Sequence, residues 1–169
     1  EWVTVSDLLF ANIRAAKHAA LLTDGLYNPL ILSALVASGY VRSFEQIDTP
    51  ESRSTEPPPD WREIDLNLKT KEARAPAGAA LDLGGIAKGW TAATIADELA
   101  AVGACLVNIG GDMVGRGAPD ALPGWPVEIE DPFTGEAFTT VYLHDQAIST
   151  SGIDYRRWQS ADGTQHHHI

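Results

Sequence analysis

The sequence predicts one globular domain that mixes helices with short strands. An apolar repeat near the start has the spacing of an amphipathic helix, and several later segments alternate apolar and polar residues as half-buried strands do. The chain has 169 residues, 44% of them hydrophobic and 21% charged, which is the composition of a globular protein. We therefore expect residues 1–169 to form a single domain with a core of its own.

The charge of the chain argues against several functions. With 12 basic and 23 acidic residues the formal net charge is −11, which disfavours non-specific binding to nucleic acid or to anionic lipid. A phosphate-rich ligand would need a local positive element, such as a cation, a lysine or a helix N-terminus. The single cysteine, Cys105, excludes a disulfide framework and a cysteine-based zinc site.

Two helices are predicted in the first forty residues. Apolar side chains recur every three or four positions over residues 6–22, and Ser6 stands where it can cap the first turn. Residues 23–25 (Thr-Asp-Gly) are a turn signal that ends this helix. A second, short helix is predicted over residues 30–37, ending at Gly39.

A proline-rich loop and two strands are predicted next. Residues 48–60 contain four prolines among polar residues, so we expect an exposed loop there. Residues 64–68 alternate apolar and polar side chains, which predicts a strand. A polar turn at residues 69–72 then precedes a second strand that approaches Leu83.

The middle of the chain predicts strand, glycine loop, helix and strand. The glycine loop covers residues 82–89, the helix runs from about residue 90 to 102, and Gly103 is the expected C′ stop after it. The apolar residues 105–109 predict a strand, and residues 110–112 (Gly-Gly-Asp) a second glycine turn.

The last third predicts a hairpin and a short strand. The chain after Met113 is rich in turn residues. Residues 125–130 and 138–143 alternate like strands, with residues 131–135 as the hairpin loop between them. Residues 147–149 predict a further short strand.

Several clusters have the residue types that chemistry needs, although each has a plain structural interpretation as well. The loop 82–89 combines an acid, three glycines and Lys88, which suits an anion and a cation together, but it matches neither the Walker nor the dinucleotide spacing, and its spacing alone is more typical of a tight turn. The hydroxyls of residues 150–152 (Thr-Ser-Gly) can meet a phosphate or form a simple turn, and residues 24–29 are first of all a helix-stopping turn. The histidines 166–168 suit a tag or a solvated tail as well as a ligand role, and adjacent residues cannot easily converge on one metal.

Taken in order, five stretches resemble the FAD:protein FMN transferases, the ApbE-type flavin transferase family. The resemblance spans nearly the whole chain, and the second and third stretches are the most specific. The five stretches are Thr-Asp-Gly-Leu-Tyr-Asn-Pro at 23–29, Asp-Leu-Gly-Gly-Ile-Ala-Lys-Gly-Trp at 82–90, Val-Asn-Ile-Gly-Gly-Asp at 107–112, Thr-Ser-Gly at 150–152 with Tyr155 and Arg156, and His-His-Ile at 167–169.

This resemblance implies an α+β fold related to the T-fold, with a mixed or antiparallel sheet and packed helices. It implies FAD bound in a cleft with Mg²⁺ on its pyrophosphate, and transfer of FMN to a threonine of an acceptor protein with release of AMP. Some members hydrolyse FAD to FMN and AMP instead. Two alternatives therefore stay open beside the transferase, namely an FAD pyrophosphatase and a non-catalytic domain that binds flavin or a partner.

The resemblance also implies which residues form the site. The Gly85 carbonyl would be a metal ligand, and His168 would be the base or would orient the acceptor hydroxyl. The remaining residues would contact FAD, the last two through its phosphates: Leu26, Tyr27, Asn28, Asp82, Lys88, Thr150 and Ser151.

The chain departs from the family pattern at four places. Asn28 stands where many members have Asp, and Ile153 is an extra residue after the Thr-Ser-Gly stretch. In the family a further Asp and Thr that complete the metal site follow the position of Ile169, and an aromatic FAD contact precedes the first helix. We therefore expect a core truncated at both ends that carries part of its metal ligands.

Location and partners are expected by analogy with the family. Members commonly work outside the cytoplasmic membrane of bacteria, often as membrane-associated lipoproteins, so we expect the cell envelope or the periplasmic side. The expected partner is an acceptor protein with a flavinylated threonine, and no nucleic acid. No apolar stretch approaches the roughly 18 residues of a membrane span, so none is expected in this chain.

Overall fold

The computed structural model of the chain describes residues 1–42, 44–46, 57–152, 156–159 and 163–167. They fall into two compact units, residues 1–86 with 151–169 and residues 87–150. Most of the predicted proline-rich loop and the predicted base His168 lie outside the described residues, and residues 57–60 of that loop have no regular secondary structure. That the chain is a single domain stays a prediction.

The described residues form three α-helices, two short 3₁₀ helices and ten strands. The 3₁₀ helices are Phe44–Gln46 and Trp61–Glu63. In chain order the other elements are β1 (Val3–Thr4), α1 (Asp7–Leu22), α2 (Leu32–Ala37), β2 (Asp65–Asn67), β3 (Glu72–Arg74), α3 (Ala87–Ala100), β4 (Cys105–Ile109), β5 (Asp112–Arg116), β6 (Trp125–Glu130), β7 (Ala137–Leu143), β8 (Ala147–Ile148), β9 (Arg157–Gln159) and β10 (Gln165–His167).

Helix α1 confirms the first prediction almost residue for residue. The Ser6 hydroxyl accepts a hydrogen bond from the Leu9 N–H at 3.2 Å, which caps the first turn. The helix ends in a Schellman motif, in which the Gly25 N–H donates to the Ala20 carbonyl at 2.8 Å and the Asp24 N–H donates to the Leu21 carbonyl at 3.2 Å. Helix α2 also confirms its prediction and ends at a left-handed glycine, Gly39.

The first unit holds a three-stranded antiparallel sheet of order β1-β3-β2 and the separate pair β9-β10. Its core consists of Ile13 from α1, Leu30 and Ile64, with partly buried apolar residues of β2 and β3 packed against it. The buried Trp158 of β9 donates its indole N–H to the Ser38 carbonyl at 2.8 Å. The strand predicted at residues 64–68 is confirmed as β2, which is shorter, at Asp65–Asn67.

The predicted second strand is present as β3, but the prediction that it approaches Leu83 is wrong. Strand β3 ends at Arg74, and residues 75–83 have no regular secondary structure. Pro76 has no N–H to give to a neighbouring strand, and Gly78 turns the backbone with a φ of +76°. The Asp82 N–H donates instead to the Pro29 carbonyl at 2.8 Å.

The second unit packs α3 on an antiparallel sheet of order β4-β5-β8, with the hairpin β6-β7 as a further sheet. Its core joins Ala92 and Ala96 of α3 to Val114 of β5. Helix α3 begins three residues earlier than predicted, so Lys88 lies in its first turn and not in a loop. The helix ends at Ala100, before Gly103, which does not have the left-handed conformation common at such a stop.

Strand β5 contradicts the prediction that the chain is turn-rich from Met113 onward. The predicted glycine turn is present, with φ of +59° at Gly110 and +94° at Gly111, and it joins β4 to β5 as a tight two-residue hairpin. The predicted strands at 105–109, 125–130, 138–143 and 147–149 are confirmed as β4, β6, β7 and β8.

Helices and antiparallel sheets together confirm the predicted α+β class. No helix among the described residues is both long and apolar enough to cross a membrane.

Candidate functional site

The turn after α1 accepts only glycine at position 25. Gly25 has a φ of +83°, and a Cβ atom there would lie 2.9 Å from Nε1 of Trp61. The Thr23 hydroxyl donates to the Ala19 carbonyl at 2.9 Å and accepts from the Tyr27 N–H at 3.1 Å. These contacts fix the backbone at Tyr27, while Leu26 between them is 95% exposed.

The ring of Tyr27 packs against the glycine loop of the same unit. A Cβ atom at Gly85 would lie 2.9 Å from Cε2 of Tyr27, and the Tyr27 hydroxyl donates to the Asp82 carbonyl at 3.5 Å. Burial raises the pKa of Tyr27 to about 12, and the negative charge of Asp82 adds to the rise. The structure thus brings together three predicted site residues, Tyr27, Asp82 and Gly85.

The carboxylate of Asp82 is oriented by the loop that follows it. One of its oxygens accepts from the Gly84 N–H at 2.7 Å, and a Cβ atom at Gly84 would lie 2.9 Å from that oxygen. Gly84 therefore allows the loop to close on the carboxylate, while the backbone at Gly84 and Gly85 stays exposed.

Asn28, another predicted FAD contact, uses its side chain to hold the backbone. Its carboxamide oxygen accepts from the Leu30 N–H at 2.9 Å, and its nitrogen donates to the Pro59 carbonyl at 3.0 Å. Both ends of the amide therefore have backbone partners in this structure. The predicted contact between Asn28 and FAD stays a prediction.

In the second unit Lys88 pairs with a carboxylate that the sequence analysis did not assign to the site. The Lys88 ammonium lies 3.1 Å from Asp112, and the Ser149 hydroxyl donates to the other oxygen of the same carboxylate. Burial acts to raise the pKa of Asp112, but the hydrogen bonds from Ser149 and Lys88 and the charge of Lys88 outweigh it and lower that pKa. Asp112 is therefore an ionised, largely buried group.

The glycine turn between β4 and β5 lies beside this cluster. A Cβ atom at Gly110 would lie 3.9 Å from Cδ of Lys88, and one at Gly111 would lie 3.8 Å from Cβ of Thr150. The turn thus leaves room next to Lys88 and Thr150, both of which are exposed. Ser151, the other predicted phosphate contact, is exposed as well and belongs to the first unit.

Sequence reasoning assigned no role to two polar residues of this cluster, Asp112 and Ser149. Asp112 ends the third of the stretches that carry the family resemblance, and Ser149 directly precedes the fourth, so their positions beside motifs were the available signal. Their partnership was not visible, because it depends on the pairing of β5 with β8.

Comparison with known proteins identifies the family of this chain. The model of the ApbE family matches residues 1–169. The chain belongs to the ApbE family. It is 30% identical over 179 residues to an FAD:protein FMN transferase of Klebsiella pneumoniae (strain 342), which covers 99% of this chain and 52% of that protein. An FAD:protein FMN transferase of Treponema pallidum (strain Nichols) is 30% identical over 188 residues, covering 99% of this chain and 51% of that protein. The ApbE chain thus spans about half the length of these curated relatives.

Solved structures agree with this assignment. The crystal structure of the ApbE protein of Thermotoga maritima is similar with a TM-score of 0.79 and 26% identity, covering 99% of this chain and 56% of that one. The resemblance to ApbE-type proteins and the fold that it implies are therefore confirmed. The individual roles of the predicted site residues stay predictions.

Proposed function

We propose that this ApbE chain forms the core of an Mg²⁺-dependent enzyme that transfers FMN from FAD to a threonine of an acceptor protein and releases AMP. The names of the curated relatives, both FAD:protein FMN transferases, support the reaction class. The structural observation that carries the proposal is the Lys88 ammonium, which is anchored by a buried carboxylate yet remains half exposed in a chain of net charge −11.

The start of α3 is suited to a diphosphate. An ammonium group has three donor hydrogens, so pairing with Asp112 leaves Lys88 two for phosphate oxygens. The first turn of α3 also carries no acidic residue, and the free N–H groups of a helix N-terminus favour an anion. These features supply the local positive element that the acidic chain needs.

The first unit offers one candidate oxygen ligand for Mg²⁺, a backbone carbonyl. The described residues contain no group of three or more His, Cys, Asp and Glu side chains placed to hold a metal. Magnesium commonly keeps waters and binds substrate phosphates, so one protein carbonyl is a reasonable share of its ligands. We assign that role to Gly85, whose exposed backbone is held against Tyr27. When bound, the ion would neutralise the charge that develops on the departing AMP.

The roles of the remaining residues are carried over from the family resemblance, and their side-chain chemistry suits them. The threonine oxygen of the acceptor attacks the FMN-side phosphorus, the bond from that phosphorus to the bridging oxygen breaks, and AMP leaves with that oxygen. His168 takes the hydroxyl proton or orients the hydroxyl. We assign Leu26 and Tyr27 to the flavin nucleotide, and Thr150 and Ser151 to phosphate oxygens.

Flavin transfer can be tested directly. The chain is incubated with FAD, Mg²⁺ and an acceptor domain that carries the threonine motif, and covalent flavin is detected by fluorescence after a denaturing gel. We expect a fluorescent acceptor band that EDTA abolishes and that Lys88→Gln strongly weakens. Lys69 is an exposed lysine in the turn between β2 and β3, so Lys69→Gln is the matched control and should leave the band intact.

The same reaction separates the alternatives. Free FMN and AMP without a labelled acceptor would favour the pyrophosphatase. Retention of unchanged FAD by the protein without either product would favour a non-catalytic flavin-binding domain. A band that persists in EDTA would contradict the role of Mg²⁺.

We also propose, from the family resemblance alone, that the protein works at the extracytoplasmic side of the bacterial cell envelope as a membrane-associated lipoprotein. Fractionation of cells with an antibody to the protein tests this. Recovery in the cytoplasmic fraction would contradict it.

A further inference from the structure

We infer that Asp112 is a positioning residue that holds the Lys88 ammonium ready for the diphosphate of FAD, and that Ser149 holds Asp112 in turn. This inference rests on the proposed function, because it deepens the role of Lys88 in the same site. It assigns roles to two residues that were given none from the sequence, although Asp112 ends the third resembling stretch and Ser149 directly precedes the fourth.

The register between α3 and β5 places the two charges together. Lys88, Ala92 and Ala96 are four residues apart and share one face of α3. Asp112 and Val114 alternate on β5 and share one face of that strand. Val114 packs against Ala92 and Ala96. Lys88 lies one turn before Ala92 on α3, and Asp112 lies two residues before Val114 on β5. The same packing therefore brings the side chains of Lys88 and Asp112 together.

The exposed fractions of the two side chains show which member of the ion pair is held in place and which can contact a ligand. The side chain of Asp112 is 12% exposed, whereas that of Lys88 is 48% exposed. A largely buried carboxylate stays ionised only when it is paired and hydrogen-bonded, and Ser149 and Lys88 meet this need. The carboxylate is therefore the fixed anchor, and the ammonium keeps two donors on its exposed side.

A second ion pair of the same helix and strand shows that this arrangement is specific. Asp97 of α3 pairs with Arg116 of β5 at 2.8 Å, but here the acid is 64% exposed and the cation 25% exposed. Of these two pairs, the one at the start of α3 presents its cation beside the N-terminus of the helix. The Asp97 pair provides a matched control within the same packing.

Anchoring is expected to strengthen ligand binding by ordering the lysine in advance. A free lysine side chain samples many rotamers, and a ligand that immobilises it loses affinity for that reason. With Asp112 in place, this loss is smaller when the diphosphate arrives. Asp112 should therefore affect the affinity for FAD more than the rate of transfer from bound FAD.

The central variant is Asp112→Asn, which keeps the shape and an oxygen that accepts from Ser149 but removes the charge. We expect its Kd for FAD with Mg²⁺, measured by calorimetry, to rise about tenfold, while kcat for transfer at saturating FAD stays within about twofold. Asp97→Asn should leave the Kd unchanged. Ser149→Ala should weaken FAD binding less than Asp112→Asn does, and Ser149→Thr should restore it.

A second readout does not depend on flavin. The NH₃⁺ signal of an ordered lysine is visible in ¹H–¹⁵N spectra because hydrogen bonding slows its exchange with water, and Lys88→Gln assigns it. We expect the Lys88 signal in the wild type and in Asp97→Asn, and its loss in Asp112→Asn.

The outcomes separate this inference from the proposed function. Equal or tighter FAD binding by folded Asp112→Asn, or a Lys88 signal that persists in it, would overturn the inference. If Asp112→Asn does not fold, the Ser149→Ala and Ser149→Thr pair decides by the same criterion. If the wild type binds FAD without transferring FMN, the proposed transferase activity is wrong. The ratio of the Kd values of Asp112→Asn and the wild type still tests the role of Asp112 in that case. If the wild type binds no FAD, the inference is wrong, and transfer is judged by the acceptor assay.

Discussion

The ring of Tyr27 occupies the space that a side chain at Gly85 would need. A Cβ atom at Gly85 would approach Cε2 of Tyr27 to 2.9 Å and Cδ2 to 3.3 Å, closer than such atoms normally come. The two residues are 58 positions apart in the sequence and belong to different stretches of the family resemblance. Their contact joins the turn after α1 to the glycine loop, and it makes the backbone position of Gly85 sensitive to the smallest added group.

Gly85→Ala should therefore disturb the candidate site. The added methyl group forces Tyr27 or the loop to move, and overpacking of this kind reduces the free energy of unfolding by about 1–3 kcal/mol. Urea unfolding followed by tryptophan fluorescence measures the change, and FAD binding should weaken with it. Gly89→Ala is the matched control, because its Cβ would meet nothing within 4 Å and alanine favours a helix. Equal stability of Gly85→Ala and wild type would contradict the packing described here.

Tyr27 should ionise late in an alkaline titration. Burial and the charge of Asp82 raise its pKa from 10.0 to about 12, so absorbance at 295 nm should contain a component near pH 12 that Tyr27→Phe lacks. Because the folded pKa lies above the unfolded one, this tyrosine contributes stability that is complete below pH 10 and is lost as the pH rises toward 12. Identical titration curves for the two proteins would show that the ring is not buried as described.

Asn28→Asp, which introduces the residue that many family members have, should destabilise this chain. The new carboxylate can still accept from the Leu30 N–H, but it places an oxygen against the Pro59 carbonyl, to which Asn28 now donates. Losing that bond and adding the repulsion should lower the free energy of unfolding at pH 7 by about 1–3 kcal/mol.

Asn67→Asp is the control for this change. The Asn67 carboxamide oxygen accepts from the backbone N–H groups of Lys69 and Thr70, a role that a carboxylate performs equally well. Urea unfolding should therefore find little change at position 67. A comparable loss at both positions would mean that the added charge, and not the bond to Pro59, is responsible.

The parts of the fold that could be predicted are those whose signals are local. Helix α1 has its cap, its apolar spacing and its stop signal within twenty residues, and it was predicted to within one residue. Strand β5 was missed because it directly follows the glycine turn and includes Gly115, which is a typical turn residue in sequence. The structure explains this glycine, since a Cβ atom there would lie 2.9 Å from the Leu143 carbonyl oxygen.

The candidate site was predictable only through motifs. Tyr27, Asp82, Gly85 and Lys88 are assigned to it because they stand in stretches that resemble a family. The buried carboxylate that anchors Lys88 depends on an interaction over 37 positions, between Asp112 and Ser149. No periodicity or composition reveals such a pair, because it exists only after β5 and β8 align.

The stability that Asp112 contributes should disappear in acid. The hydrogen bonds and the Lys88 charge hold the pKa of Asp112 below its ordinary value of 3.8, so the native state favours the ionised form. A depressed pKa stabilises the protein above the unfolded value and ceases to do so as the pH falls through the folded value. At pH 7 Asp112→Asn should unfold more easily than the wild type by about 2 kcal/mol, the scale of a hydrogen bond to a charged group.

Urea unfolding of both proteins at several pH values checks this expectation. The difference between them should stay constant from pH 7 to about 5 and shrink below about pH 4, as the wild-type carboxylate takes up its proton. Asp97→Asn, which breaks an exposed pair on the same helix, should differ from the wild type by no more than about 1 kcal/mol throughout. A difference for Asp112→Asn that is as large at pH 2.5 as at pH 7 would mean that its cause is packing and not the charge that holds Lys88.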